Sequence, residues 1–309
     1  MLRFHALATA ALISFAGGSP VLAQTPSSGT GEPNVANGKY MYYAGGCASC
    51  HAAPASNKCD DAKTKDELAP VGGRCLKSDF GTFYVPNITP DKQTGIGGWS
   101  SDDFVKAMTA GTSPRGKNYY PAFPYGSYEK MQRSDLLDLW AFLQTIAPAS
   151  ATVPDHDLSF PYNIRTGVSL WKTLYLGGKT FTPDPSQSAQ INRGAYLVEG
   201  PGHCGECHTP RTSIGGMIAD KKLSGAPNPE GKGFIPNITP DKTGIASWSA
   251  KDISYALQTG FTPEGDVMGG TMAKVQQNMA QLTQEDRDAI AAYLKSIPAV
   301  ENARPKKKE

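Results

Sequence analysis

The sequence predicts a mostly α protein built as two tandem copies of one domain. Three observations lead there. Apolar residues recur at helical spacing in short stretches, as at Leu136, Leu139, Trp140 and Leu143. No stretch alternates apolar and polar residues for long enough to make a convincing strand. The chain also repeats itself. Pro86-Asn87-Ile88-Thr89-Pro90-Asp91-Lys92 returns as Pro236-Asn237-Ile238-Thr239-Pro240-Asp241-Lys242, and Gly95-Ile96 and Trp99-Ser100 return as Gly244-Ile245 and Trp248-Ser249, 149 positions on. A repeat of that length is a duplicated domain rather than a solenoid.

Taken in order, residues 1–23 read as a secretory signal. Arg3 supplies the positive start, Ala6 to Ala16 the apolar stretch, and Val21-Leu22-Ala23 the small-residue cleavage pattern before Gln24. The apolar stretch is too short to span a membrane, and no other run approaches the needed length. The expected location is therefore periplasmic. Residues 24–35 are a flexible start. Residues 36–148 form the first domain, with a helix around Tyr40 and a second opening at Ser100, whose Asp103 makes a capping-box-like start. That second helix presents Phe104, Val105 and Met108; the third carries the Leu136 series.

Residues 149–186 are a linker rich in turn signals that still carries Trp171, Leu174 and Tyr175, so it is expected to pack across both domains. Residues 187–298 form the second domain: a helix around Tyr196, a second from Ser249 with Asp252, and a third capped by Thr283 and running through Ile290, Tyr293 and Leu294. Residues 299–309 are a basic tail with Arg304, Lys306, Lys307 and Lys308. A solvated, frayed end is expected there, with peripheral membrane association or an acidic partner as the alternative.

Composition narrows the chemistry. Gly 33 and Pro 24 in 309 residues mean much loop and modest cores, which usually lean on a cofactor or disulfide. The formal net charge is only +2 and there is no basic stripe, which excludes nucleic acid as a partner.

Cys47-Ala48-Ser49-Cys50-His51 and Cys204-Gly205-Glu206-Cys207-His208 carry the strongest signal. Two thiols at this spacing can each add to one vinyl group of a single haem, and the adjacent His then lies beneath the iron as proximal ligand. Half a zinc ribbon or a thioredoxin-like pair would also use Cys-x-x-Cys, but neither explains the following His in both copies, the repeat, or the export signal. The sequence thus predicts two covalently bound haem c groups. Cys59 and Cys75 remain, an even remainder expected to pair as a disulfide in an exported protein. They sit where the first copy is longer: His51 to Pro86 is seven residues more than His208 to Pro236.

For the sixth iron ligand a Met thioether is the usual choice of an electron carrier. Met272, in Gly269-Gly270-Thr271-Met272 on an irregular segment ahead of the last helix, is the expected ligand in the second copy, with Met268 and Met279 as competitors. The position 149 residues earlier is Phe123. In the first copy Met108 reads as core. Met131 maps near Leu282 when counted from the last helix, which permits a core role too. Lying eight residues after Phe123 in a Pro-rich loop, it is nevertheless the expected ligand; an open iron is the alternative.

Through the two Cys-x-x-Cys-His motifs, the paired Asn-Ile-Thr-Pro-Asp segments, Tyr120-Pro121-Ala122-Phe123-Pro124-Tyr125 and Gly269-Gly270-Thr271-Met272, nearly all of the mature chain resembles the diheme cytochrome c proteins. These are related to the cytochrome subunits of membrane-bound alcohol and gluconate dehydrogenases. The resemblance implies class I cytochrome c domains, purely α around each haem, with His/Met ligation. It supports His51, His208 and Met272. In such relatives the segment matching Pro121 to Tyr125 often carries Met where Phe123 stands. The dehydrogenase subunits typically hold three haems, and a third motif is absent here.

The function expected is single-electron transfer, from a periplasmic dehydrogenase toward a cytochrome or terminal oxidase. The competing reading is a haem enzyme acting on peroxide or a sulfur compound at an open first iron, although the first distal loop supplies no obvious general acid or base. His156 and His203 are the unassigned mature histidines. Trp99 and Trp248 are expected beside the haems or in the core.

Overall fold

The computed structural model describes residues 31–56, 58–59, 66, 68–229 and 233–305. The signal segment, most of the flexible start, part of the loop between Cys59 and Cys75, and Lys306 to Lys308 lie outside the described residues.

The first repeat opens with α1 (Val35–Ala44), capped by the Asn34 side chain, followed at once by α2 (Cys47–His51). The hairpin β1 (Cys75–Ser78) and β2 (Gly81–Tyr84) comes next. Then come α3 (Ser101–Ala110), the single turn α4 (Tyr125–Tyr128) and α5 (Arg133–Thr145). Strand β3 (Asp157–Leu158) and α6 (Gly167–Tyr175) belong to the connecting segment. The second repeat runs α7 (Ala189–Glu199), α8 (Gly205–His208), a two-residue pair β4 (Ala226–Pro227) and β5 (Phe234–Ile235), α9 (Ala250–Thr259), α10 (Thr271–Met279) and α11 (Gln284–Ser296).

Mostly α holds, with two additions. Strands exist but are short: β1, β2 and β3 form one antiparallel sheet, too brief for alternation to show in the sequence. Among the described residues each repeat has five α-helices instead of three, because the Cys-x-x-Cys-His motif and the segment before the last helix are themselves helical. Met272 is accordingly the second residue of a helix and not on an irregular segment.

Local chemistry explains the helix bounds. Ser100 and Ser249 both make complete capping boxes, with Asp103 and Asp252 respectively, and Thr283 caps α11 by accepting from the Asp286 N–H. Gly111 (φ 56°) and Gly260 (φ 82°) end α3 and α9 in the left-handed conformation that costs a side-chain residue more. Phe104, Met108, Leu136, Leu139 and Leu143 are buried in the first core, as Ile253, Leu257, Ile290 and Leu294 are in the second, while Trp99 and Trp248 pack at the core edges.

In each repeat the first helix crosses the last at backbone contact. A Cβ on Gly38 would stand 1.9 Å from the Asp138 carbonyl oxygen, and one on Gly194 would stand 1.9 Å from that of Ala289. The repeated Asn-Ile-Thr-Pro-Asp segment then ties the middle of each repeat to the chain leaving its last helix. Asn87 Nδ2 donates to the Ala149 carbonyl at 2.7 Å, and Asn237 Nδ2 to that of Val300 at 2.8 Å.

The repeats meet through a reciprocal pair of contacts. Tyr40 on α1 donates its hydroxyl to Asp286 in the first turn of α11 at 2.5 Å, and Tyr196 on α7 donates its own to Asp135 in the first turn of α5. Each hydroxyl also accepts a backbone N–H, from Thr283 at 3.1 Å and Gln132 at 3.2 Å. The two carboxylates differ in their remaining partners: Arg193 pairs with Asp286, whereas Asp135 receives the Asn37 amide. At the rim Glu199 takes Lys130 of the first repeat at 3.1 Å, together with Lys222 and Tyr293. Burial pushes the Glu199 carboxyl up, but the two lysines outweigh it and hold it down to about 2.

The connecting segment touches both repeats. Lys172 reaches the Gly111 carbonyl at 2.7 Å, Trp171 donates to the Ile214 carbonyl at 3.0 Å, and Gly177 and Gly178 donate to Glu129. Leu174 nevertheless stays 60% exposed, as do its neighbours Leu170 and Phe160 in large part.

Two tests follow. Gly38→Ala and Gly194→Ala should each destabilise the holoprotein by at least about 1–3 kcal/mol in denaturant unfolding, whereas Gly126→Ala, with nothing within 4 Å of its Cβ, should be neutral. Because the folded Glu199 pKa lies below its unfolded value, its stabilisation is complete above about pH 4.5 and lost as pH falls toward 2. Glu199→Gln should remove that pH-dependent component, on the order of 3 kcal/mol, from acid unfolding curves.

Candidate functional site

The two Cys-x-x-Cys-His motifs occupy matching places at the ends of α1 and α7. To turn the chain from one helix into the next, the residue before the first Cys is left-handed in both copies: Gly46 at φ 56° and His203 at φ 39°. His203 is not a glycine, and its ring is held across the repeat boundary, with Nε2 3.3 Å from the Gly45 carbonyl oxygen and an edge-on contact to Tyr128.

His51 Nδ1 donates to the Pro86 carbonyl at 2.8 Å, and His208 Nδ1 to that of Pro236 at the same distance. The carbonyl accepts only, so Nδ1 carries the proton and Nε2 keeps its lone pair, the tautomer and orientation an iron ligand needs. The His backbone is fixed as well: the Gly72 and Gly225 N–H groups donate to the His51 and His208 carbonyls, both at 2.7 Å. A Cβ on Gly72 would lie 2.5 Å from the Pro86 carbonyl carbon, so only glycine lets this loop bring its carbonyl to the ring. Desolvation lowers the pKa of His51 to about 4 and lowers that of His208, so both rings are neutral at pH 7.

Cys47, Cys50, Cys204 and Cys207 are not disulfide-bonded in this structure, and their thiols would stand in for the thioether sulfurs of an attached haem. Burial first, and the second Cys of each motif next, push Cys47 and Cys204 up to about 12. The Cys pairs and the oriented His rings fit haem attachment in both copies. Among the described residues there is no cluster of His, Cys, Asp or Glu that would hold a metal ion by itself. Cys59 and Cys75 are joined, with Cα atoms 5.1 Å apart, tying the long loop of the first copy to β1.

Of the thioethers, Met272 lies at the start of α10, partly buried against the second core. Met131 is 2% exposed, inside the first core with Ala48, Ala52 and Ile96, at the place Leu282 takes in the second. Met41 and Met108 belong to the same core. Phe123 stacks among Tyr119, Tyr125 and Tyr128. A small cavity that it lines contains Glu206 and Arg211, which are paired with each other. His156 accepts the Tyr84 N–H at 3.1 Å and so ties β2 to the connecting segment, rather than bonding its sequence neighbours.

Sequence reading missed one arrangement entirely. The third residue of each motif reaches the other repeat: Ser49 Oγ accepts from Asn278 on α10 at 2.8 Å, and Glu206 accepts from Ser127 on α4 at 2.8 Å. Ser127 and Asn278 stand at the same distance before Asp135 and Asp286, so a second alignment of the repeats, taken from the last helices, was the available signal. Each attachment motif thus rests on the segment ahead of the other repeat's last helix.

A family model described as cytochrome c matches residues 35–147. A diheme cytochrome c-type protein of Cereibacter sphaeroides is 50% identical over 272 residues, covering 88% of each chain. A fructose dehydrogenase cytochrome subunit of Gluconobacter japonicus is 34% identical, over 89% of this chain and 54% of its own. A gluconate 2-dehydrogenase cytochrome c subunit of Pantoea cypripedii is 35% identical, over 86% of this chain and 60% of its own. The chain therefore spans little more than half of these dehydrogenase subunits.

Replacing Cys47 and Cys50 together by Ala, or Cys204 and Cys207, should leave one covalent haem where the parent has two. Intact mass and a haemochrome assay on the purified protein would read this directly; an unchanged haem count in either variant would contradict the assignment.

Proposed function

The chain belongs to the diheme c-type cytochromes, carries two covalently bound haem c groups and transfers electrons; we propose that it does so in the periplasm, between a dehydrogenase and a cytochrome or terminal oxidase. The observation that carries this reading is the reciprocal buttressing of the two attachment motifs, which gives both sites one fixed relation. Haem iron supplies the one-electron chemistry.

The chain's own residues supply the rest. Cys47 and Cys50, and Cys204 and Cys207, hold the two groups. His51 and His208 offer Nε2, oriented by the Pro86 and Pro236 carbonyls. Met272 would offer its thioether to the second haem, and Met131 to the first. Membership of Met131 in the cluster with Ala48, the second residue of the first motif, and Ala52, which follows the motif, supports the choice. Buried side chains on both repeats exclude water and limit reorganisation when the charge changes. Disulfide Cys59–Cys75 fixes the longer first loop.

The names of the relatives speak for this reading over the small-molecule enzyme. A dehydrogenase donor is proposed by analogy with those named as dehydrogenase subunits. No helix among the described residues is long and apolar enough to cross a membrane. An export segment at residues 1–23 and the basic tail as a peripheral contact complete the proposal.

The oxidised holoprotein should show sulfur-to-iron charge transfer from both haems. Met272→Ala and Met131→Ala should each abolish it at one, and let that iron bind carbon monoxide when reduced. Unchanged spectra in Met131→Ala would leave that residue a packing role and count against it as a ligand.

A further inference from the structure

Both repeats place a hairpin ahead of the helix that precedes the last one, between α3 and α4 in the first and between α9 and α10 in the second, with the same backbone. Ser113 donates to the Lys117 carbonyl and Thr262 to that of Asp266, both at 2.8 Å, and Gly116 and Gly265 have φ of 77° and 82°. Bridges Thr112–Asn118 and Phe261–Val267 close them.

Their side chains are opposite in character. The first hairpin has Arg115 and Lys117 at its exposed tip where the second has Glu264 and Asp266. The first is covered by the connecting segment: Lys172 donates to Gly111, Thr112 and Asn118, Arg165 donates to the Asn118 carbonyl, and Asn118 donates to Ser169. The second has no such segment over it among the described residues; Trp248 Nε1 donates to Glu264 at 2.9 Å. Phe261 replaces Thr112 and is 49% exposed; Val267 replaces Asn118 and is 59% exposed. Tyr255, 56% exposed, lies one turn before Thr259, whose hydroxyl accepts the Phe261 N–H. The nearest bases in sequence are Lys251, a turn before Tyr255, and Lys274, eight residues after Asp266 on α10. The Met268 N–H returns to the Gly260 carbonyl at 2.8 Å, so the hairpin leads straight into the segment carrying Met272.

We propose that the second repeat docks a lysine-rimmed electron-transfer protein on Tyr255, Phe261 and Val267, with Glu264 and Asp266 meeting the partner's lysines. Charge complementarity fixes the choice, because an apolar centre with an acidic rim attracts a basic partner and repels an acidic one. A contact of this kind is small, salt-sensitive and quick to dissociate, as an electron carrier requires. The proposal rests on the electron-carrier reading and adds that the second repeat faces this partner.

The test uses the oxidised holoprotein with a basic monohaem cytochrome c as probe, and an acidic cytochrome b5 as the opposite probe, in calorimetric or chemical-shift titrations at low and high salt. The basic probe should bind wild type, more weakly as salt rises. The double variant Glu264→Lys with Asp266→Lys should lose about tenfold in affinity or more. Phe261→Ala with Val267→Ala should lose several-fold, and Arg115→Glu with Lys117→Glu should bind as wild type does. Unaltered haem spectra and melting would show that the variants fold. Equal binding of the basic probe to wild type and the Glu264/Asp266 variant would overturn the proposal, as would a loss confined to the Arg115/Lys117 variant or preference for the acidic probe. Stopped-flow oxidation of the reduced protein is read separately: binding without electron exchange would sink the carrier reading and leave the docking surface standing.

Discussion

The contact everything else depends on is the crossing of first and last helix without an intervening side chain. Gly38 against Asp138 and Gly194 against Ala289 set the two helices of each repeat at backbone contact. That crossing aims the C-terminal end of α1 or α7, and so the cysteine motif that follows it. It also puts Tyr40 and Tyr196 on one side and the first turns of α5 and α11 on the other, which are the partners that join the repeats. A side chain at either glycine would separate the helices and disturb the core, the motif and the repeat interface together. The leverage of two small residues comes from this shared geometry.

Much of this was legible in the sequence because it is local. Ser-x-x-Asp starts, Gly stops and helical spacing are properties of a few consecutive residues, and the capping boxes at Ser100 and Ser249 formed as read. Cys-x-x-Cys-His is equally local, so the attachment residues could be named without a fold. What escaped were relations between distant positions. The carbonyls of Pro86 and Pro236, which orient the two His rings, are backbone atoms with no mark in the sequence. The purpose of the repeated Asn-Ile-Thr segment emerged only when Asn87 and Asn237 were seen gripping the chain after the last helices. Met131 was legible both as a thioether and, through its match to Leu282, as a residue of the core, where it lies. The short strands went unread because β1 and β2 have four residues each, too few to show a period.

The repeats are most alike where they hold the chain's shape and least alike where they face ligand or solvent. Helix crossings, the capping boxes at Ser100 and Ser249, and the His supports match closely. Phe123 and Met272 differ, Asn37 and Arg193 differ, and the hairpin tips carry opposite charge. A carboxylate with a guanidinium and one with an amide sit in otherwise equal frames, so the two halves present unequal electrostatic surroundings to equal motifs.

The interface itself has a further implication. A tyrosine of one repeat meets an aspartate of the other, and the reverse contact is made as well; the motif contacts of Ser49 and Glu206 are exchanged in the same way. Pairwise exchange is the signature of an isologous, two-fold interface, in which one surface is its own complement. Because the two halves share one chain, this self-complementary surface closes within the molecule, and its association does not depend on protein concentration as that of two separate subunits would.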